Sequence, residues 1–190
     1  QRSKLNAADG ALRLNWSRGS TPQRGIGLPA SGHHRFWLTL QPCTPTFSPI
    51  NTITSRHERR NASSRLSHCK TFAYGQAIQA RREAQEQGAD DALLLSTAGA
   101  MCCGTAANLL IRRRGQWLTP ALSSGCLPGV MRGRALSQGV AMETELEAEF
   151  EANDQAVLIN SLSCRPIASH NGKTLAARTG ALEVWQSLLH

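Results

Sequence analysis

Three prolines, at positions 42, 45 and 49 of QPCTPTFSPINT, constrain this chain more than any other stretch. Proline fixes φ and carries no amide hydrogen, so residues 41–52 read as neither helix nor central strand. The chain is thereby cut by a linker, and the expected division is residues 1–45 against residues 46–190. In the leading part, ALRLNW alternates apolar and polar and reads as a strand ending at a glycine turn, and RFWLTL reads as a second strand. Only the polar QRSKLNAADG precedes them. Two strands need partners, so the leading layer reads as incomplete.

Past the linker, TFAYGQAIQARREAQEQG reads as an amphipathic helix with Phe72, Ala77, Ile78, Ala80 and Ala84 near one face, stopping at Gly88. DALLLST, AANLLIRR and QWLT read as strands, the last two joined by a tight turn at Gly115. PGVMRGRALSQG reads as a short helix, VAMET as a strand, ELEAEFEAND as a helix and QAVLINS as a strand. GALEVWQSLL closes the chain as an amphipathic helix with Leu182, Trp185, Leu188 and Leu189 inward. The sum is an α+β fold with mixed strands.

A formal charge of +8 raises nucleic acid as a partner. The basic residues come in short groups such as RHERR and IRRRGQ, and four Phe and one Tyr leave little for stacking on bases. A solvated basic surface or a site for small anions is therefore expected, without nucleic acid. No apolar run approaches the ~20 residues of a membrane span, so no membrane segment is expected. The six cysteines, at 43, 69, 102, 103, 126 and 164, form no CxxC pair and no Cys/His ligand spacing. No metal site is expected, and reduced thiols in a cytoplasmic protein are the plain reading. If extended, the segment holding Cys102 and Cys103 points them to opposite faces.

SGCLPGVMRG carries the clearest chemistry. Pro128 and Gly129 open a helix whose first amides, at Val130 and Met131, have no backbone partner, and such a terminus binds phosphate without a charged side chain. Lys70 stands immediately before the long helix, where a cation is mildly unfavourable. A free lysine of pKa ~10.4 is a poor nucleophile until burial or a neighbouring charge lowers that value.

Five pieces now resemble a family in order and spacing: SRGSTPQRG, CKTFAYGQAIQARREAQEQGADDALLLS, AANLLIRRRGQWLTP, SGCLPGVMRG and LINSLSCRPI. From Leu12 to Ile167 the chain resembles the class IV, fold-type IV enzymes that use pyridoxal 5'-phosphate, among them 4-amino-4-deoxychorismate lyase and the branched-chain and D-amino-acid aminotransferases. The resemblance implies a D-amino-acid aminotransferase-like two-domain fold with the N-terminal domain incomplete here. It implies that Lys70 bonds covalently to the cofactor and shuttles the substrate Cα proton. It also implies that Gly129, Val130 and Met131 hold the cofactor phosphate, helped by Asn160 and Ser161, and that Arg24 reaches a substrate carboxylate. Cys103 falls where the family has a glutamate facing the pyridine nitrogen, a carboxylate that keeps the ring protonated as an electron sink. A neutral thiol lacks that charge, and a charge-assisted hydrogen bond of ~1.5–3 kcal/mol is lost with it.

SRGSTPQRG and AANLL lean toward the lyase, which eliminates pyruvate to leave 4-aminobenzoate for folate synthesis. A class IV aminotransferase for a branched-chain or D-amino acid is the first alternative, and a catalytically impaired or non-enzymatic relative the second. The family implies a homodimer and an amino-acid-like small-molecule substrate.

Overall fold

The computed structural model describes residues 9–21, 24–28, 32–176 and 180–190. The chain falls into two compact units, Gln1–Thr44 and Pro45–His190. The first is built on β1 (Gly10–Ser17) and β2 (Arg35–Pro42), an antiparallel ribbon. Its register pairs Leu12 with Leu40, Leu14 with Leu38 and Trp16 with Phe36. Side chains two apart share a face of a strand, so these six apolar groups lie on one face, and all are exposed.

The second unit contains β3 (Ile50–Arg60), α1 (Gly75–Glu86), β4 (Asp91–Ser96), β5 (Met101–Gly104), β6 (Asn108–Arg113), β7 (Gln116–Pro120), α2 (Val130–Ser137), β8 (Ala141–Thr144), β9 (Gln155–Asn160), β10 (Ser163–His170), β11 (Lys173–Thr174) and α3 (Ala181–Ser187). Its sheet runs β11-β10-β3-β4-β5-β6-β7-β8, and β9 pairs with both β10 and β6. The ladder through β10, β3, β4, β5, β6 and β9 therefore returns on itself as a ring of strands. Ring closure removes exposed edges and encloses a packed interior. Ile50, Leu93, Met101, Leu109, Ile111, Leu158 and Ile167 fill one cluster, and Leu110, Val157, Ile159 and Leu188 belong to a second.

Three neighbouring pairs in this sheet, β10–β3, β3–β4 and β7–β8, are parallel, and the strands of the last two pairs follow one another in the chain through crossovers. A parallel pair cannot be closed by a hairpin, so each of these two crossovers is a long connection. The first carries Lys70 and α1, and the second carries Pro128, Gly129 and α2.

Several expectations need correction. The linker is shorter than 41–52: β2 runs through Pro42, and β3, a strand inside the ring, begins at Ile50. β3 escapes notice in the sequence because Ser55–Arg60 is polar and its pairing with β4 is interrupted between Thr54 and Arg59. ELEAEFEAND is not a helix. The carbonyl of Leu146 accepts from Met101 N at 2.9 Å, and the Asp154 carboxylate accepts from Glu151 N at 2.8 Å. Local helical bonds are thus replaced by these partners, and the like charges at 145/149 and 147/151 would repel in a helix. In α1 only Ala80 and Ala84 are buried, while Ile78 is exposed and Phe72 precedes the helix. α3 ends at Ser187; its C-cap Leu188 is buried, but Leu182 within it and Leu189 beyond it are exposed.

Candidate functional site

The crossovers and hairpin turns converge on one cavity of about 410 Å³ in the second unit. Lys70 lines it from the first crossover, and Gly129, Val130 and Met131 from the second. Cys103 and Asn108 line it from β5 and β6, Asn160 from the end of β9, and Ser161 from the turn that follows. Seven residues singled out in the sequence for one cofactor thus share a single cavity. Arg24 is an exposed residue of the first unit, and the lining of this cavity is made by the second unit.

The segment before Lys70 is pinned rather than loose. Arg60, at the end of β3, donates through Nε to Gly125 O at 3.0 Å and through Nη2 to Ser67 O at 2.7 Å. Ser67 Oγ donates to Asn61 O at 2.7 Å, and the His68 ring pairs with Leu122 O at 3.0 Å. Arg60 and His68 therefore tie the lysine's segment to the stretch that leads into α2. Gly125 is required at that junction, because its φ is 89° and an added Cβ would lie 2.8 Å from Asn61 O. Lys70 itself is exposed at the cavity and five residues ahead of α1, which is capped at Tyr74. It lies outside the first turn, so the expected clash with the helix dipole falls away.

Gly129 is the N-cap of α2 and offers no side-chain cap. Its own amide donates to Leu127 O at 2.8 Å. A serine or aspartate there would occupy the first-turn amides with its own oxygen, so glycine leaves them for an external acceptor. Asn160 is more committed than the sequence suggests. Its Nδ2 donates to Ala106 O at 3.2 Å, while its Oδ1 accepts from Leu162 N and Ser163 Oγ. It braces two turns across the cavity, and Ser161 stands exposed beside it.

Cys102 and Cys103 do not face opposite ways. Leu94 pairs with Cys103 but Leu95 with Met101, so Cys102 is the extra residue of a β-bulge. Both thiols enter one cluster with Cys126, Ile53 and Leu94. The hydrogen bond to Cys102, then burial, push the Cys103 thiol well above its ordinary range, while the same bond draws Cys102 down against burial, aided by the Arg60 charge. Cys103 is therefore a neutral thiol in the cavity wall. No acidic side chain lines the cavity among the described residues.

Beyond these, the sequence did not reveal Arg60, Asn108 or the brace under the β5–β6 turn. There Arg81 and Thr105 both bond the buried Asp91 carboxylate, Arg81 Nη2 at 2.7 Å and Thr105 Oγ1 at 2.6 Å. An arginine closing a strand and an asparagine opening one were the available signals.

The pattern of amino-transferase class IV matches residues 1–170. The chain belongs to the class IV aminotransferase family. A Schizosaccharomyces pombe protein assigned as an aminodeoxychorismate lyase is 34% identical over 85 residues, 43% of this chain and 37% of that one. A Synechocystis protein assigned as a branched-chain-amino-acid aminotransferase is 32% identical over 85 residues, 45% of this chain and 28% of that one. These alignments span well under half of either curated relative. The fold is that of solved class IV structures. A Legionella pneumophila structure assigned as a 4-amino-4-deoxychorismate lyase superposes with a TM-score of 0.80 at 24% identity, covering 95% of this chain and 69% of that one. A Brucella abortus aminotransferase, solved with pyridoxal phosphate bound, superposes with a TM-score of 0.82 at 20% identity, covering 98% of this chain and 69% of that one. Among the described residues no helix is long and apolar enough to cross a membrane.

Proposed function

We propose that this class IV chain binds pyridoxal phosphate in the cavity of the second unit and serves a lyase reaction like that of 4-amino-4-deoxychorismate lyase. The observation that carries the reading is the convergence of Lys70 and the uncapped start of α2 on one cavity. The donor chemistry fits the group: an amine for the aldehyde, and amides of Val130 and Met131 without a side-chain cap for a phosphate dianion. When bound, the cofactor's ring takes up the electron pair that remains at Cα after the proton leaves.

Within that frame Lys70 holds the cofactor, and its amine accepts the substrate Cα proton and passes it to the oxygen of the departing pyruvate. Val130 and Met131 orient the phosphate. Arg60 fixes the lysine's segment against Gly125, so lysine and phosphate cradle keep one spacing. Leu94 and Leu127 add apolar wall that limits water. Arg24 is proposed to meet a substrate carboxylate. The protein is proposed to be a homodimer of the cytoplasm acting on an amino-acid-like compound in folate synthesis.

An aminotransferase is the second reading, favoured by the similarity to the Synechocystis protein. Cys103 favours a third, a relative impaired in catalysis, because its neutral thiol cannot hold a pyridinium as a carboxylate does. The test is borohydride reduction of the cofactor-treated chain followed by peptide mass analysis. A pyridoxyl adduct on Lys70 is expected, and an adduct on another lysine with Lys70 unmodified overturns the assignment. Release of pyruvate and 4-aminobenzoate without any added keto acid separates lyase from transferase.

A further inference from the structure

We infer that Asn108 is a positioning residue that aims the phosphate cradle at the start of α2, an inference that rests on the pyridoxal-phosphate reading of this cavity. Asn108 opens β6 and is buried, yet its side chain lines the cavity. Its Nδ2 donates to Leu127 O at 2.8 Å. The same carbonyl accepts from Gly129 N at 2.8 Å, so the strand and the turn share one acceptor. On its other side, Asn108 Oδ1 lies 2.1 Å from the point where a Cβ on Gly129 would stand. No real Cβ tolerates that approach. The amide thus meets Leu127–Gly129 with both of its polar atoms: Nδ2 ties the turn to β6 through Leu127 O, and Oδ1 takes the space that any side chain at 129 would need.

The consequence falls on the next two residues. A usual N-cap supplies a side-chain oxygen to the first-turn amides and orients the helix start at the same time. Here the cap is glycine, and orientation comes from a neighbouring strand instead. Asn108 sets the direction of the turn without filling the amides of Val130 and Met131, which stay open to an anion. A plain structural brace would be indifferent to whether the ligand carries a phosphate. A positioning residue for the cradle would not.

The test uses the full chain, with pyridoxal phosphate, phosphate-free pyridoxal and inorganic phosphate as probes. Uptake of the aldehydes is followed by absorbance, and inorganic phosphate by the amide resonances of Val130 and Met131. Asn108→Ala is expected to weaken pyridoxal phosphate and inorganic phosphate roughly tenfold, as for one well-made hydrogen bond, with pyridoxal changed less than about twofold. Gly129→Ala alone is expected to give a comparable phosphate-selective loss, but to add almost nothing in the Asn108→Ala background, where the collision is gone. Asn108→Asp keeps the side-chain size while removing the donor, and the same selective loss is expected if the alanine variant folds poorly. Equal weakening of pyridoxal and pyridoxal phosphate, or equal effects of Gly129→Ala in both backgrounds, overturns the inference. So does a parent chain whose Val130 and Met131 amides ignore inorganic phosphate. A parent that binds inorganic phosphate there but takes up no pyridoxal phosphate defeats the proposed function instead, and Asn108 is then judged on inorganic phosphate alone.

Discussion

Cys103 is the residue where local chemistry and family pattern part company. It is raised by its bond to Cys102 and by burial, so it stays protonated at neutral pH and brings no charge to the cavity. If it faces the ring nitrogen, Cys103→Glu supplies a carboxylate that is ionised and acceptor-only toward a protonated ring. Exchange of the substrate Cα hydrogen with deuterated solvent should then quicken by roughly one to two powers of ten, each ~1.4 kcal/mol of barrier being tenfold. A less stable protein with unchanged exchange would mean that Cys103 is a packing residue only. His170 offers a second residue-scale expectation, unconnected with the cavity. Its ring sits between the hydroxyls of Thr52 at 3.0 Å and Thr54 at 2.9 Å. Thr52 Oγ1 donates to Ser169 O, which leaves it to accept from Nδ1 while Nε2 accepts from Thr54. Burial lowers the pKa of this neutral ring to about 4. The unfolded chain then binds the extra proton between about pH 6.5 and 4, so stability is full above that window and falls as pH drops through it. The loss is at most roughly 3 kcal/mol. Urea midpoints for the parent should decline more steeply from pH 6.5 to 5 than those of His170→Asn, and parallel slopes would discount the histidine.

At the scale of elements, legibility followed burial pattern. DALLLS reads as a strand because all six positions of β4 are buried, and apolar runs of that length have few other uses. QAVLIN and NLLI are legible for the same reason. β3 was hidden because its second half is polar, and MCCG in β5 because four residues give no period to read. The acidic stretch 145–154 misled in the opposite direction. Leu146 and Phe150 pack into the core at a helical spacing, but the backbone between them has tertiary partners. Arg113 holds that loop by an ion pair to Asp154 at 2.7 Å, with Glu151 at 3.0 Å. Asp154 is 1% exposed, so removing its charge leaves a largely buried guanidinium short of its partner. Asp154→Ala should therefore cost about 3 kcal/mol in urea unfolding, whereas Glu149→Ala on the exposed side should stay within about 0.5 kcal/mol. Similar effects from both would mean that the loop is not held by the Arg113 pair. The cavity was legible in a different way. The glycine-opened helix and the lysine could be picked out singly, but the braces at Arg60 and Asn108 depend on which strands become neighbours, and no local spacing encodes that.

For the whole molecule, the two units differ in how much core each owns. Among the described residues, all three buried clusters lie in Pro45–His190, including the walls of the cavity. Thr46 is already stitched to that unit, donating to Leu162 O at 3.2 Å and accepting from Cys164 N at 3.1 Å. The ribbon of β1 and β2 instead presents Leu12, Leu14, Trp16, Phe36, Leu38 and Leu40 on one exposed face, and a lone two-stranded ribbon is marginal in water. A domain folds alone when it has its own core and few contacts cross its boundary. A chain beginning at Pro45 should therefore fold cooperatively, with its urea midpoint close to that of the full chain and phosphate-sensitive amides at Val130 and Met131. Removing the ribbon should also lower binding of a hydrophobic dye, because the exposed apolar face leaves with it. Broad, non-cooperative unfolding of the shortened chain would show that the first 44 residues contribute to the core of the second unit. Unchanged dye binding would instead place the exposed apolar surface outside the ribbon.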